Sequence, residues 1–511
     1  MSGLDTPALV IAVIGLPAVA ALLTLLTSAW PTVRRWMGVL LALGQVVLVL
    51  GVVSVFDTPP SERAAAGPLT IAQLETALPW MSTVEPPTRL AVDGLNLYAL
   101  LLLSVISLLA LLTDLVDGPS RAGLRQTGIF GVSAAAAGFL LSRDLVLAAA
   151  CHGTTALVLA LVIHMGADAR PRRPAALSFL VPGLLASGCL WMAAIWCRSA
   201  SDGLSASVDA LVINVIPSGA VVLLTLFLIL HLPLVPLHRW QTHSCGEGAA
   251  YSGILLTGGL WTILGVSGWL RLGLPLSVDL FDDVAALLRI WGGLSALIAV
   301  AVAAIQRDLG DRLRWACVGL AGLVAVGLGS VDLAATSGAL LLCAALGLPR
   351  ASTLCLVCWL PAETGGRGLA LWWGVSVLAL TAVAGFGGFA GLLPLLTGGS
   401  HAIGSVVGSP VGPTAWPVWA CLLASVALVG VLLAPVSGIA HREQTTTMPW
   451  PLRLGLIVAV GVALATGWQP APVTDWVVPD VQRILAHAPL PTEATHQPTD
   501  EQPVDDPEDA P

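Results

Sequence analysis

Lysine is absent from this chain; all 22 of its basic residues are arginine. Charge of either sign is scarce, at 10% of 511 residues, while 56% are hydrophobic. Soluble domains carry roughly 25% charged residues, so this chain cannot coat a water-facing surface, and a soluble enzyme is excluded. Drift from Lys to Arg in a GC-rich genome accounts for the missing lysine. A formal net charge of −8, much of it in a C-terminal acidic tail, excludes a nucleic-acid partner. No nucleotide-binding loop, GxGxxG cofactor turn or Ser-His-Asp arrangement is present. Nine cysteines lie mostly inside hydrophobic runs, where they pack as small apolar side chains. Cys355 and Cys358 have CxxC spacing but no second pair, so no metal is expected there. The first apolar run, Pro7–Leu26, is too long for a cleaved signal peptide, and no small-residue cleavage site precedes Arg34.

What the chain does have is a succession of apolar windows, each about 20 residues long and able to cross ~30 Å of hydrocarbon. They fall near 7–27, 36–55, 95–115, 127–142, 144–165, 176–197, 208–232, 249–271, 284–305, 313–330, 333–361, 368–395, 415–435 and 452–468. In lipid such a window must be a helix, because its backbone groups find no other partners. The expected fold class is therefore an all-α polytopic membrane protein of about fourteen helices. Arginines cluster after alternate runs: Arg34 and Arg35, Arg121 and Arg125, Arg170 to Arg173, Arg239, Arg307 to Arg314, Arg367, and Arg442 with Arg453. The other loops carry fewer, as in Arg63 and Arg89, then Arg143, Arg198 and Arg271 singly. The positive-inside rule then places the Arg-rich loops in the cytoplasm and both termini outside, in a bacterial inner membrane.

Three runs carry helix breakers: Pro233 and Pro236 in the seventh, Gly347-Leu348-Pro349 in the eleventh, and Gly385-Phe386-Gly387-Gly388 in the twelfth. Broken helices at membrane depth survive only inside protein or beside a hydrated cavity, and they recur in transporters. The chain divides into residues 1–125, with a long external loop at 56–93; a transporter-like core, 126–400; terminal helices, 401–469; and an acidic, Pro-rich tail, 470–511, expected to be disordered.

Residues 231–247 read His-Leu-Pro-Leu-Val-Pro-Leu-His-Arg-Trp-Gln-Thr-His-Ser-Cys-Gly-Glu. This resembles the seventh-helix segment of the antiporter-like membrane subunits of respiratory complex I, nearest the subunit M type. There the pattern is Lys-x-Pro-x-x-Pro-x-His-x-Trp, followed by an acidic residue; Pro233, Pro236, His238, Trp240 and Glu247 fit it. Val92-Asp93-Gly94-Leu95, Arg271 with Leu274-Pro275-Leu276, Gln306 with Asp308, Gly322, and Gly388-Phe389-Ala390-Gly391 resemble further segments of the family in the same order. The resemblance implies a non-catalytic membrane-arm subunit of an NADH:quinone oxidoreductase, associated with proton translocation coupled to electron transport. Its partners would be other membrane-arm and peripheral-arm subunits within the lipid bilayer. Flavin, iron–sulfur and quinone chemistry would belong to those partners, with no cofactor on this chain. The alternative on the same fold is a subunit of a cation/proton antiporter or other energy-coupled transporter.

Members of that family carry a file of buried ionisable residues half-way across the bilayer, whose proton affinity a neighbouring charge can move. Here the resemblance puts the fifth-helix Glu at Gly153, the seventh-helix Lys at His231 and the eighth-helix Lys at Thr262 or Ile263. The tenth- and eleventh-helix His positions fall on Leu320 and Leu346, and the twelfth-helix Glu or Lys on Leu392. Drift from Lys to Arg explains none of these, so impaired or lost pumping is expected. Four residues remain as proton-path candidates. His231 is either a titratable relay or a neutral histidine satisfied by a carbonyl freed at the break. His152 lies beside the lost Glu position. Arg350 either anchors to an acidic residue of a neighbouring subunit or snorkels. Glu247 either serves a proton entrance or stabilises a helix N-terminus.

Overall fold

The computed structural model describes residues 6–56, 72–78, 88–116, 122–165, 173–200, 217–246, 251–276, 281–330, 332–360, 365–407, 416–441 and 447–487. Long helices dominate it, and eleven of those described are long and apolar enough to cross a bilayer. Helices α1 (Thr6–Leu26) and α2 (Pro31–Val55) stand at the periphery. They present Leu26, Trp36 and Leu40 outward, each about two-thirds exposed, as a lipid-facing surface requires. The centre is formed by α9 (Tyr251–Gly259), α10 (Trp261–Gly268) and α13 (Leu333–Trp359), which are buried on nearly all sides.

Aspartates fix where several of these helices begin. A helix start buried in protein leaves backbone N–H groups without partners unless a side chain caps them. Asp93 accepts from Asn96 N, and the Asn96 side chain accepts in return from Asp93 N, closing a reciprocal cap on α3 (Gly94–Thr113). Asp144 accepts from Val146 and Leu147 at the start of α5 (Leu145–His164). Asp308 and Asp332 cap α12 (Leu309–Leu328) and α13 in the same way.

The seventh run breaks where its prolines predict. Helix α7 (Ser218–His231) stops because Pro233 has no N–H to donate and disfavours helical geometry at Leu232. The chain then turns through Leu232–His238, including a cis Val235–Pro236 bond, into the short α8 (Arg239–Ser244). Helix α11 (Phe281–Ile305) satisfies the freed backbone: Val235 N donates to Ser295 Oγ at 3.1 Å, and Trp291 Nε1 donates to Val235 O at 2.6 Å. The twelfth run also breaks, into α14 (Arg367–Leu380) and α15 (Gly387–Val407). At the break Gly385 adopts φ = +92°, a conformation open to glycine.

The eleventh run departs from expectation. Gly347-Leu348-Pro349 does not interrupt α13, which runs unbroken from Leu333 to Trp359. Pro349 forfeits one backbone bond, but α13 is enclosed by α9, α12, α15 and α18 (Trp450–Trp468), whose packing holds it as one helix. Conversely, the eighth run carries an irregularity its sequence did not announce. It passes from α9 to α10 at Leu260, then into a π-helical segment at Trp269–Gly273, a form that recurs at functional sites.

Two further corrections concern segments outside the core. The long segment at 56–93, expected as a loop, contains a two-stranded antiparallel sheet, β1 (Leu74–Ala77) with β2 (Arg89–Val92), paired Leu74 to Val92 and Ala77 to Arg89. The tail does not lose order at residue 470. Residues Ala471–His487 form a helix, α19, that buries Val477, Val481 and Ile484. Those residues recur at three- and four-residue spacing, so the segment has an apolar stripe despite its prolines. The acidic stretch from residue 488 onward lies outside the described residues.

Candidate functional site

His152 on α5 and His231 at the end of α7 face each other, and both are fully buried. Their Nε2 atoms are 2.8 Å apart. His152 Nδ1 lies 2.7 Å from Ser187 Oγ on α6 (Arg173–Ala200), and His231 Nδ1 lies 2.8 Å from the Phe227 carbonyl one turn back. Gly265 on α10 makes the approach possible, since a Cβ there would collide with the His231 ring. Around the pair the walls are aromatic. Trp261 stacks on His231 at 4.6 Å and 18°, and Phe227 lies 4.4 Å from the same ring. Phe139 on α4 (Ala122–Leu141) and Phe227 present tilted or edge-on faces to His152 at 5.4 and 5.2 Å.

The structure thus brings together two sequence candidates, His152 and His231, and adds Ser187, which sequence reasoning missed. Gly153, at the family's Glu position, lies on the same side; a Cβ there would sit 3.5 Å from Ser187 Oγ. The carboxylate of the pattern would therefore point at the place where Ser187 now meets His152.

Arg350 is elsewhere, on α13, and its side chain lies inside the bundle rather than snorkelling outward. Its guanidinium is buried, with Nε donating to Gly258 O at 2.6 Å and NH2 to Thr262 Oγ1 at 3.2 Å. Thr262, one of the two positions the resemblance allows for the eighth-helix Lys, and Leu320 and Leu346, where it puts histidines, line the same spot with Leu342 and Cys343. The space between them is about 10 Å³, at or below what a single water needs. Leucine side chains fill this spot.

The motif residues Pro233 and Pro236 shape the break itself. Trp240 is buried and packs on Phe179, 6.1 Å away, behind the dyad's Trp261. His238 lies against Trp315 at 4.4 Å with the rings tilted by 43°, and opens, with His243, Gln306, Asp311 and Arg314, onto a polar recess of about 420 Å³. Burial first, and then Arg239 and His243, hold the His238 imidazole below its ordinary value. His164 occupies the last turn of α5 as a half-buried end group. Glu247 lies outside the described residues.

Two buried ion pairs were not foreseen. Arg271, in the π segment, donates to Asp93 at 2.8 Å and also to Leu140 O, tying the start of α3 to α4 and the irregular eighth run. Arg125 donates to Asp114 at 2.6 Å; Gln126 bonds the same carboxylate and accepts from Arg34, locking α2, α3 and α4 together. In the second case residues that sequence analysis read only as topology markers are structural bonds.

The transmembrane-segment model of the NADH:quinone oxidoreductase/Mrp antiporter family matches residues 142–410, more than half of the chain. NAD(P)H-quinone oxidoreductase chain 4 of Prochlorococcus marinus (strain MIT 9515) is 31% identical over 221 residues, covering 40% of this chain. The match spans 38% of that relative's length. Among solved structures, a chain of respiratory complex I from Thermus thermophilus superposes with TM-score 0.78 at 21% identity, covering 94% of this chain and 100% of that one. A chain of the Mrp complex from Dietzia sp. DQ12-45-1b gives TM-score 0.71 at 16% identity, covering 94% and 52%. At these identities the superpositions establish the fold: an antiporter-like bundle with its broken seventh and twelfth helices.

Proposed function

Because this chain belongs to the NADH:quinone oxidoreductase/Mrp antiporter transmembrane family, we propose that it serves as a membrane-arm subunit of a complex I-like assembly and has lost most of its own proton conduction. The chain then works chiefly as a coupling and structural element. Electron transfer and its cofactors reside on partner subunits, and the chain sits in a bacterial inner membrane with both termini outside. One observation carries the loss of conduction: Thr262, Leu320 and Leu346 close around Arg350 and leave room for no more than one water. A proton wire needs titratable groups or water within hydrogen-bond reach at each step, and leucine offers neither. Arg350 is no substitute, since a guanidinium stays protonated and passes no proton on.

The test is affinity purification of the tagged chain from its native membrane. The proposal expects membrane-arm and peripheral-arm subunits to co-purify with NADH:quinone reductase activity. Co-purification with cation/proton antiporter subunits and no reductase would favour the second reading, which the Dietzia superposition supports at the level of fold.

A further inference from the structure

The imidazoles of His152 and His231 lie in a chain of hydrogen bonds with a carbonyl at each end. In order it runs Gly183 O, Ser187 Oγ, His152, His231, Phe227 O, with Ser187 Oγ 3.1 Å from Gly183 O. Four contacts join these groups, and each needs one proton. The neutral residues supply three: one from the serine hydroxyl and one from each imidazole. We infer that His152 and His231 form a single-proton site, taking up one excess proton as a pair and no more.

The carbonyls decide the arrangement. Phe227 O can only accept, so His231 carries its proton on Nδ1 in the neutral pair and offers a lone pair at Nε2. His152 must then donate from Nε2, which leaves its Nδ1 to accept from Ser187. The reverse order would set two lone pairs against each other at Phe227. One excess proton completes the chain without moving a heavy atom. A new N–H bond forms at His152 Nδ1, the proton coming from a hydronium that is left as water, and the Ser187 hydroxyl turns to Gly183 O. The charge is then shared across the Nε2–Nε2 bond. A second proton is refused, because both Nε2 atoms would carry hydrogens at 2.8 Å.

Desolvation opposes a buried cation without a counter-anion, and the completed hydrogen-bond chain and an aromatic face offset part of this. Trp261 stacks its face on His231, and a ring face attracts a cation within about 6 Å; Phe227 lies tilted beside it. Of the elements packed on the pair, α4 contributes Phe139, α6 contributes Ser187, and α10 contributes Trp261, with Phe179 of α6 behind it. Among the described residues, the titratable group bonded to each imidazole is the other one, and the π-helical segment packed against α7 carries Arg271, which is bonded to Asp93. Both ends of the chain are carbonyls, which cannot pass a proton on, so the pair stores a proton rather than conducting it through. This property belongs to the chain whatever its partners and goes beyond its assignment to an assembly.

The test uses the full chain in lipid nanodiscs and needs no partner. Protons bound are counted from alkaline pH down to the lowest pH at which the helical circular-dichroism signal persists. The double variant of His152→Gln and His231→Gln should bind one proton fewer than wild type, and each single variant, which keeps one imidazole able to take that proton, no more than one fewer. A loss of two in the double variant means two independent histidines and overturns the proposal; no loss in any variant overturns it too. Where a variant fails to fold, nitrogen-15 NMR of the wild type decides. The proposal expects a nitrogen–nitrogen coupling across the Nε2 hydrogen bond, with His152 as the Nε2–H tautomer and His231 as the Nδ1–H tautomer. Matching tautomers, or no coupling, would refute it.

Discussion

Arg271 and Asp93 are 178 residues apart in sequence yet share a buried bond at 2.8 Å. Removing one partner of such a pair strands the other charge, a loss of about 3–5 kcal/mol, whereas replacing both with apolar residues is often neutral. Arg271→Met should therefore destabilise the protein by about that amount in a detergent-unfolding assay, and Arg271→Met with Asp93→Asn, which removes the charge but keeps an oxygen to cap α3, by clearly less. Equal losses would mean that the bond to Leu140 O, not the ion pair, is what matters. His231 makes a second residue-scale case. His231→Leu leaves the His152 N–H buried without an acceptor, a cost of about 1–3 kcal/mol, while His231→Gln keeps a hydrogen-bonding group and should assemble. A Gln variant as unstable as the Leu variant would contradict this. The importance of position 231 was legible because a family pattern runs through it. Ser187 was not, since a lone serine in an apolar helix reads as facing its own preceding turn, where its Oγ does lie 3.1 Å from Gly183 O. Only the packing of α6 on α5 makes it the neighbour of His152. Asp93 and Arg271 each stood in a recognisable motif, but a motif does not name its partner.

At the scale of elements, prolines and glycines were good guides only where burial did not oppose them. Pro233 ends α7 beside a partner that satisfies the freed backbone, whereas Pro349 lies in a helix enclosed on all sides and breaks nothing. Helix α19 shows the converse, a helix overlooked because prolines masked its apolar spacing. It is held at the start of α3, where Asp480 accepts from Gly94 N at 2.8 Å and a Cβ on Gly94 would collide with the Trp476 carbonyl. Gly94→Ala should therefore push α19 away. Limited proteolysis ought then to cleave within 471–487 in the variant before it does so in the wild type; indistinguishable cleavage would show that apolar burial alone holds the helix.

At the scale of the whole molecule, the arginine pattern and the file of neutral positions make separate predictions. A reporter fused after Arg173 should be cytoplasmic and one fused after Trp468 should face outside; the same side for both would mean that the number of crossings between them is even. Fold class and family were legible in the sequence because hydrophobic length and motif order act over hundreds of residues. The proposed loss of conduction was legible only as missing charges, and the packing of Leu320, Leu346 and Thr262 around Arg350 gives it a physical form. Conduction itself is measured in reconstituted vesicles, as protons translocated per electron, with this chain substituted for a subunit whose file is intact. NADH oxidation should continue while the proton-to-electron ratio falls. An unchanged ratio would show that protons cross this chain by another route and would contradict the account.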